Sequence, residues 1–225
     1  MKTEKHPAPY IPALGFHWLT PLYDPLLRWT LRESVFKCRL VEQARIEGGH
    51  RVLDLGCGTG TLTLLIKRLH PGAEVFGLDG DAKVLQVAEV KAAKAGLEVT
   101  FVRGIAFDLP YADNSFERVL SSLLFHHLTR ENKVRALREA FRVLRPGGQL
   151  HIADWGRPQN GFMRGAFLLV QMLDGFRTTA DNVAGMLPHL FGEAGFVDVE
   201  QTTRYGTILG TLALYQAKKP ELAFL

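Results

Sequence analysis

The amino-acid sequence predicts an α/β fold: a seven-stranded, mostly parallel sheet with helices on both faces, an antiparallel last strand, and helical cap segments at the N-terminus and ahead of the closing strands. Three observations lead there. From about residue 50, short apolar runs alternate with segments of helical spacing, the pattern of parallel strands joined by crossover helices. The first of these runs ends in three closely spaced glycines, Gly56, Gly58 and Gly60, and opens into a helix. The C-terminal stretch then carries two strand-like runs with no helix between them, which is how an antiparallel pair at a sheet edge reads.

His50 to Leu55 is the first strand, and Thr61 to Leu69 the helix after the glycine turn. Glu74 to Leu78 is the second strand. Asp81 to Ala95 forms a helix closed by Gly96, a residue free to take the left-handed C-cap conformation. Val99 to Val102 is the third strand, and Arg118 to Ser122 the fourth, after the turn residues Ala112-Asp113-Asn114-Ser115. Val134, Leu137, Ala140, Phe141 and Leu144 recur at helical spacing and define a helix over Arg130 to Leu144. Pro146-Gly147-Gly148 stops it, and Gln149 to Trp155 is the fifth strand. Residues 13 to 46 read as two aromatic-rich helices, and 161 to 194 as helical and rich in Phe, Leu and Met. Phe196 to Lys218 holds the last two strands, joined through Tyr205-Gly206. A single domain follows: an N-terminal helical lid over 1–47, a core over 48–155, a helical cap over 156–195 and edge strands over 196–225.

Composition narrows the function. With 225 residues, 47% of them hydrophobic and 22% charged, the chain suits one globular domain with a full core. The net charge of +4 comes without a Lys/Arg run, so no nucleic-acid partner is expected. Cys38 and Cys57 supply neither a zinc spacing nor a disulfide framework; no metal is expected, and a reducing cytoplasm is the expected compartment. The N-terminal residues are broken by charges and prolines and lack the apolar core of a signal peptide. No stretch reaches the roughly 18 apolar residues of a membrane span. The apolar run Phe162 to Phe176 leaves three readings open: ordinary core, the wall of a hydrophobic acceptor pocket, or peripheral contact with a membrane.

The chemistry is carried by Val52-Leu53-Asp54-Leu55-Gly56-Cys57-Gly58-Thr59-Gly60, a strand running into glycines and then a helix. Glycines let the backbone turn tightly and let a ligand approach it. An acid, Asp79, ends the second strand, near the roughly 20-residue offset expected of a carboxylate on ribose hydroxyls. The spacing is G-x-G-x-G, not the G-x-G-x-x-G that seats a nicotinamide dinucleotide's pyrophosphate on a helix N-terminus. Asp54 just upstream suits a cationic amino-acid tail better than a pyrophosphate. Both features favour S-adenosyl-L-methionine.

VLDLGCGTG resembles the first motif of class I methyltransferases, and GLDGD, Gly77 to Asp81, their second. Leu109 to Glu117, LPYADNSFE, is similar to a segment of their small-molecule subgroup, as are SSLLFHHL at Ser121 to Leu128 and RVLRPGG at Arg142 to Gly148. The nearest subgroup in pattern is the ubiquinone/menaquinone-biosynthesis methyltransferases. The resemblance covers residues 50 to 155 in detail and implies a Rossmann-like fold. It also implies roles. Gly56, Cys57, Gly58 and Gly60 line the cofactor, with Asp54 near its amino-acid tail. Asp79 takes the ribose, Gly80 and Asp81 flank the adenine, Ile105 and Ala106 cover it, and Ser122 and Leu123 lie under the methionine moiety. The chain departs from the pattern at Ile105, where many relatives carry Asp; Asp108 lies three residues on.

Methyl transfer is an in-line displacement for which the protein supplies orientation, desolvation and, where needed, a base. His126 and His127 follow the fourth strand; either takes a proton from an acceptor, or both pack the loop into the next helix. Asp154 ends the fifth strand and either orients an acceptor or bonds to nearby backbone, while His151 inside that strand reads as structural. Asp174, Arg177 and His189 are polar candidates in the cap, and Phe16-His17-Trp18-Leu19 with Tyr23 is a candidate lid. The expected activity is methylation of a small, apolar or aromatic acceptor at O, C or N. The alternatives are a macromolecular methyltransferase, against which the absence of an Asn/Asp-Pro-Pro-aromatic segment after the fourth strand counts, and a cofactor-binding protein without transfer activity. Oligomeric state is open. Asp79→Ala should weaken S-adenosylmethionine binding by about 1–3 kcal/mol, since buried ribose hydroxyls lose their partner; calorimetric titration checks it, and unchanged affinity refutes the assignment of the second motif.

Overall fold

The computed structural model describes residues 33–221. The elements in chain order are α1 (Glu33–Gln43), β1 (Arg51–Leu55), α2 (Thr61–Leu69), β2 (Glu74–Asp79), α3 (Ala82–Ala95), β3 (Thr100–Arg103), β4 (Phe116–Ser122), α4 (Arg130–Val143), β5 (Leu144–Trp155), α5 (Gly161–Asp174), α6 (Phe176–Ala184), α7 (Leu187–Glu193), β6 (Val197–Thr207) and β7 (Gly210–Lys218). A 3₁₀ turn, Phe125–His127, follows β4. The strands form one sheet in the order β3-β2-β1-β4-β5-β7-β6. All neighbours from β3 to β5 are parallel, and β7 lies antiparallel to both β5 and β6. Chain order reverses between β1 and β4, so the ligand crevice of such a sheet falls outside the carboxyl ends of these strands.

Side-chain alternation along the strands sorts the core into two layers. Leu53, Val119, Ile152 and Ala213 join α4 and α7 on one face through Leu137, Ala140, Leu190 and Phe191. Their neighbours Val52, Leu120, Ala153 and Leu214 join α1, α2 and α5 on the other through Phe36, Ile66 and Phe167. The described part of the N-terminal stretch, α1, thus belongs to a sheet-covering layer; the first of the two helices read there lies outside the described residues, as does the aromatic stretch from Phe16 to Tyr23.

Three boundaries differ from the sequence reading. β5 begins at Leu144 and runs through Pro146-Gly147-Gly148, which the sequence reads as a stop. The pairing of β4 and β5 shifts between Phe116 and Arg118 to absorb the extra residues, and Gly147 takes φ 76. The displaced backbone is satisfied by the tail: Gly147 N donates to Lys219 O at 3.0 Å, and Lys219 N to Gly148 O at 2.9 Å. The last hairpin turns at Ile208-Leu209, three residues beyond Tyr205-Gly206, because Gly206 pairs within the ladder opposite Thr211. The cap is three helices, broken where Gly175 (φ 96) and Gly185 (φ 72) take conformations that other residues rarely adopt.

α6 is held to the body by a buried cation. Lys133 of α4 is 0% exposed, donates to Thr178 O and meets Asp181 Oδ2 at 3.4 Å; Arg130 reaches the other oxygen of Asp181 at 3.2 Å. A buried lysine without its carboxylate is costly. Asp181→Ala should therefore destabilise the chain by about 3 kcal/mol, and Lys133→Met in that background should recover much of the loss. Urea unfolding of the parent and the two variants decides it; a loss below ~1 kcal/mol means the pair does not anchor the cap.

Candidate active site

The glycine turn is built by main-chain bonds to the neighbouring strand. Gly56 N and Cys57 N both donate to Leu78 O, at 2.8 and 3.0 Å. Gly56, Gly58 and Gly60 have φ 73, 52 and 76. At Gly56 a Cβ would lie 2.8 Å from the Leu124 side chain, and at Gly60 2.9 Å from Ala88 Cβ. At Gly58 it would meet nothing within 4 Å, so this glycine opens the turn outward. The Cys57 thiol points into the protein, near Gly77, and burial pushes it well above its usual range.

Asp79 locks the turn to the second strand. Its carboxylate accepts from Gly58 N at 2.9 Å and from Asp81 N at 3.0 Å. Asp81 accepts from Lys83 N at 2.8 Å and so caps α3, and Gly104 N donates to Asp79 O, which draws the loop of Ile105 and Ala106 to the end of β2. Ile105 is half-buried and bridges Asp108 across a tight turn. Ala106 is buried and belongs to the core cluster. Asp54 is 1% exposed: Oδ2 accepts from Thr63 Oγ1 at 2.6 Å, and Oδ1 has no partner among the described residues. Burial pushes its carboxyl up to about 6. At the end of β4, Ser122 Oγ is likewise buried and unpartnered, and Leu123 adopts φ 57, its N–H held by Ala153 O at 2.8 Å.

A second cluster lies where β4 and β5 end beneath the cap. Asp154 is 0% exposed and accepts from Phe125 N and Trp155 N, each at 2.7 Å, from Asn182 Nδ2 at 3.2 Å, and pairs with His126 Nδ1 at 2.8 Å. Asp174, from the end of α5, lies 3.6 Å from His126 Nε2 and 3.8 Å from His127 Nδ1. Burial acts to lower the His126 pKa, but the carboxylates of Asp154 and Asp174 outweigh it, and the net shift is upward. His127 is held well below its usual value by burial and by the charge of His126, and its Nε2 has no partner among the described residues. Two imidazoles in tilted contact, ring centroids 4.0 Å apart, thus share the site, one favouring the cation and one the neutral form. His126, His127 and Asp174 also each present a ligand atom within 4.8 Å of the others, a partial cation-binding set.

The structure brings His126, His127, Asp154 and Asp174 together. It does not bring Arg177 or His189 there: Arg177 is exposed, and the exposed His189 pairs with Glu193 at 3.1 Å. His151 is buried in β5 between Gln43 and Gln149, its pKa lowered to about 3 by burial and Arg118, as befits a structural residue. Sequence reasoning missed Asn182 and Thr63. Neither carries a motif, and each matters only because of the carboxylate it meets.

Residues 52–148 match the family profile described as a methyltransferase domain. The demethylmenaquinone methyltransferase of Thermus thermophilus is 35% identical over 186 residues, covering 79% of this chain and 78% of that one. The chain belongs to the class I S-adenosylmethionine-dependent methyltransferases. The ubiquinone/menaquinone biosynthesis C-methyltransferase UbiE of Pasteurella multocida is 29% identical over 228 residues, covering 91% of this chain and 83% of its own. Among solved structures, the YcgJ protein of Bacillus subtilis superposes with a TM-score of 0.67 at 19% identity, over 82% of this chain and 98% of that one. The [4+2]-cyclase SpnF does so at 0.66 and 22% identity, over 83% and 81%. These last two share the fold. The methyltransferase's cofactor is S-adenosyl-L-methionine, and the site fits it: an acid-locked glycine turn open at Gly58, and a buried carboxyl with a free oxygen at Asp54.

Asp54 makes stability depend on pH. The folded carboxyl holds its proton to about 6, against an ordinary value of 3.8. Between these values the native chain binds more protons than the unfolded one, so the stability of the cofactor-free enzyme falls as pH rises from about 4 to about 6 and then levels. Asp54→Asn should remove that decline. Urea unfolding across this pH range tests it, and an unchanged slope in the variant refutes the role of Asp54.

Proposed function

We propose that this methyltransferase acts on a small, apolar or aromatic acceptor seated at the carboxyl ends of β4 and β5, with His126 and His127 as its polar wall and Asp154 behind them. The observation that carries the reading is the buried Asp154–His126 pair, closed over by Asp174 from the cap beside a neutral His127. The relatives named for demethylmenaquinone and for ubiquinone/menaquinone C-methylation favour a hydroxylated ring acceptor methylated at carbon.

The bound cofactor supplies an electrophilic methyl on a sulfonium. Around it, Gly56, Gly58 and Gly60 admit the ligand to the backbone, Asp79 takes the ribose hydroxyls, and Gly80, Asp81, Ile105 and Ala106 border the adenine. Asp54 and the unpartnered Ser122 Oγ meet the methionine end, with Leu123 beneath it and Cys57 serving through its backbone. On the acceptor side, His127 enters neutral with a free Nε2, so it can take the proton from a ring hydroxyl as the ring carbon attacks the methyl group. When bound, the cofactor would supply the methyl group and keep the sulfur's electron pair as the leaving group. Asp174 faces the imidazolium so formed, and Asp154 fixes the orientation of His126 alongside. The cap excludes water, and the protein contributes orientation as much as proton transfer.

His127→Ala and His126→Ala, made separately, should leave S-adenosylmethionine affinity intact, and at least one should lower kcat by about 10²-fold. Turnover with phenolic and hydroquinone acceptors, beside calorimetric cofactor binding, measures both. Full turnover in both variants means that catalysis proceeds by orientation without a base.

A further inference from the structure

α5 is apolar on the wrong side for a helix of a water-exposed surface. Its inner face is ordinary: Phe167, Val170 and Gln171 are buried against the sheet. Its outer face carries Phe162, Leu169, Met172 and Leu173 at helical spacing, 78%, 54%, 72% and 65% exposed, and Phe176 follows at 55%. An isolated exposed leucine needs no account, but a contiguous apolar face marks a binding surface. The patch continues onto the β6–β7 turn. Met163 packs against Gly206, Phe167 against Gly210, and Ile208 at the tip of that turn is 64% exposed.

The charges around this face have one sign. Between residues 157 and 177 the charged side chains are Arg157, Arg164, Arg177 and Asp174. The three arginines are exposed. The single acid is turned inward, 12% exposed, toward His126 and His127. Among the described residues of this segment the exposed charges are all arginines, and an apolar face with such neighbours complements a surface with a hydrocarbon interior and an anionic outer layer.

We propose that the outer face of α5, with the tip of the β6–β7 turn, docks on the surface of an anionic phospholipid bilayer. Phe162, Leu169, Met172 and Leu173 enter the acyl boundary, and Arg157 and Arg177 meet the lipid phosphates. The rest of the domain takes the place of the polar face that an isolated interfacial helix would need. α5 then has two duties, since its last residue, Asp174, closes the histidine cluster while its outer face sits in lipid. An apolar acceptor dissolved in the bilayer would reach the site along this helix; that consequence rests on the proposed function, whereas the docking itself does not.

The test is flotation of the full chain with phosphatidylcholine vesicles, with and without phosphatidylglycerol, at low and high salt. Binding is expected only with phosphatidylglycerol, and less at high salt. Leu169→Glu/Met172→Glu should weaken it at least ~10-fold, and Arg157→Glu/Arg177→Glu should weaken it and flatten its salt dependence. Both variants should keep the parent's melting temperature and S-adenosylmethionine affinity. The proposal is overturned by absence of binding to phosphatidylglycerol vesicles at low salt, or by double variants that bind like the parent. It is equally overturned if Leu169→Glu/Met172→Glu converts a dimer to a monomer in light scattering, which assigns the face to a second copy, or lowers the melting temperature, which assigns it to another segment of this chain. Methylation of a short-chain, water-soluble acceptor reads out the enzyme separately, so failed docking with intact methyl transfer refutes this inference alone.

Discussion

One buried carboxylate organises the end of the crevice beneath the cap. Asp154 accepts hydrogen bonds from two backbone amides, from Asn182 of the cap and from His126. A carboxylate taken out of water must find such partners or forfeit its charge. Satisfying it draws three chain segments to one point: the 3₁₀ turn after β4, the end of β5, and α6. The orientation of His126, the neutrality of its neighbour His127 and the seating of the cap all follow from that convergence. Lys133 and Asp181 repeat the device one step further out, so the cap is held by polar ties as well as by packing.

At the other end of the crevice the constraint is steric. The turn after β1 passes through left-handed backbone at Gly56, Gly58 and Gly60, and two of these positions press so closely on Leu124 and Ala88 that no side chain fits. Asp79 then pins the turn through Gly58 N. The two ends are joined by short spans of β1 and β4, whose paired residues Asp54 and Leu120 lie side by side in the sheet. The glycine turn and the histidine cluster are thereby set by rigid strands, which suits a reaction that depends on alignment. The fold alone does not choose this chemistry, since SpnF shares it and is named as a cyclase.

The cap shows how one element serves two environments. α5 buries Phe167 and Val170 on the sheet and carries Asp174 into the histidine cluster, yet keeps large apolar side chains outside. In the sequence, the run from Phe162 to Phe176 is compatible with core, pocket wall or membrane contact, because periodicity cannot assign a helix that is apolar all round.

Much was legible in the sequence because its causes are local. Strand–glycine–helix order, Asp79 at a strand end and Gly96 after a helix are consequences of backbone sterics and spacing, and these gave the α/β class, the cofactor turn and the bounds of α2 without a partner in view. The Pro-Gly-Gly stretch misled because its backbone is rescued by Lys219, more than 70 residues away. The site residues divide in the same manner. His126 and Asp154 could be named as candidates, but that they form a pair, that Asp174 joins them, and that Asn182 supports them depend on contacts across 28 or more residues of chain. Sequence by itself determined the fold class and the glycine turn with its acid, where local geometry suffices. Only the tertiary structure decided the cluster beneath the cap, because burial and the meeting of distant charges push its two histidines in opposite directions and settle which face of α5 is left outside.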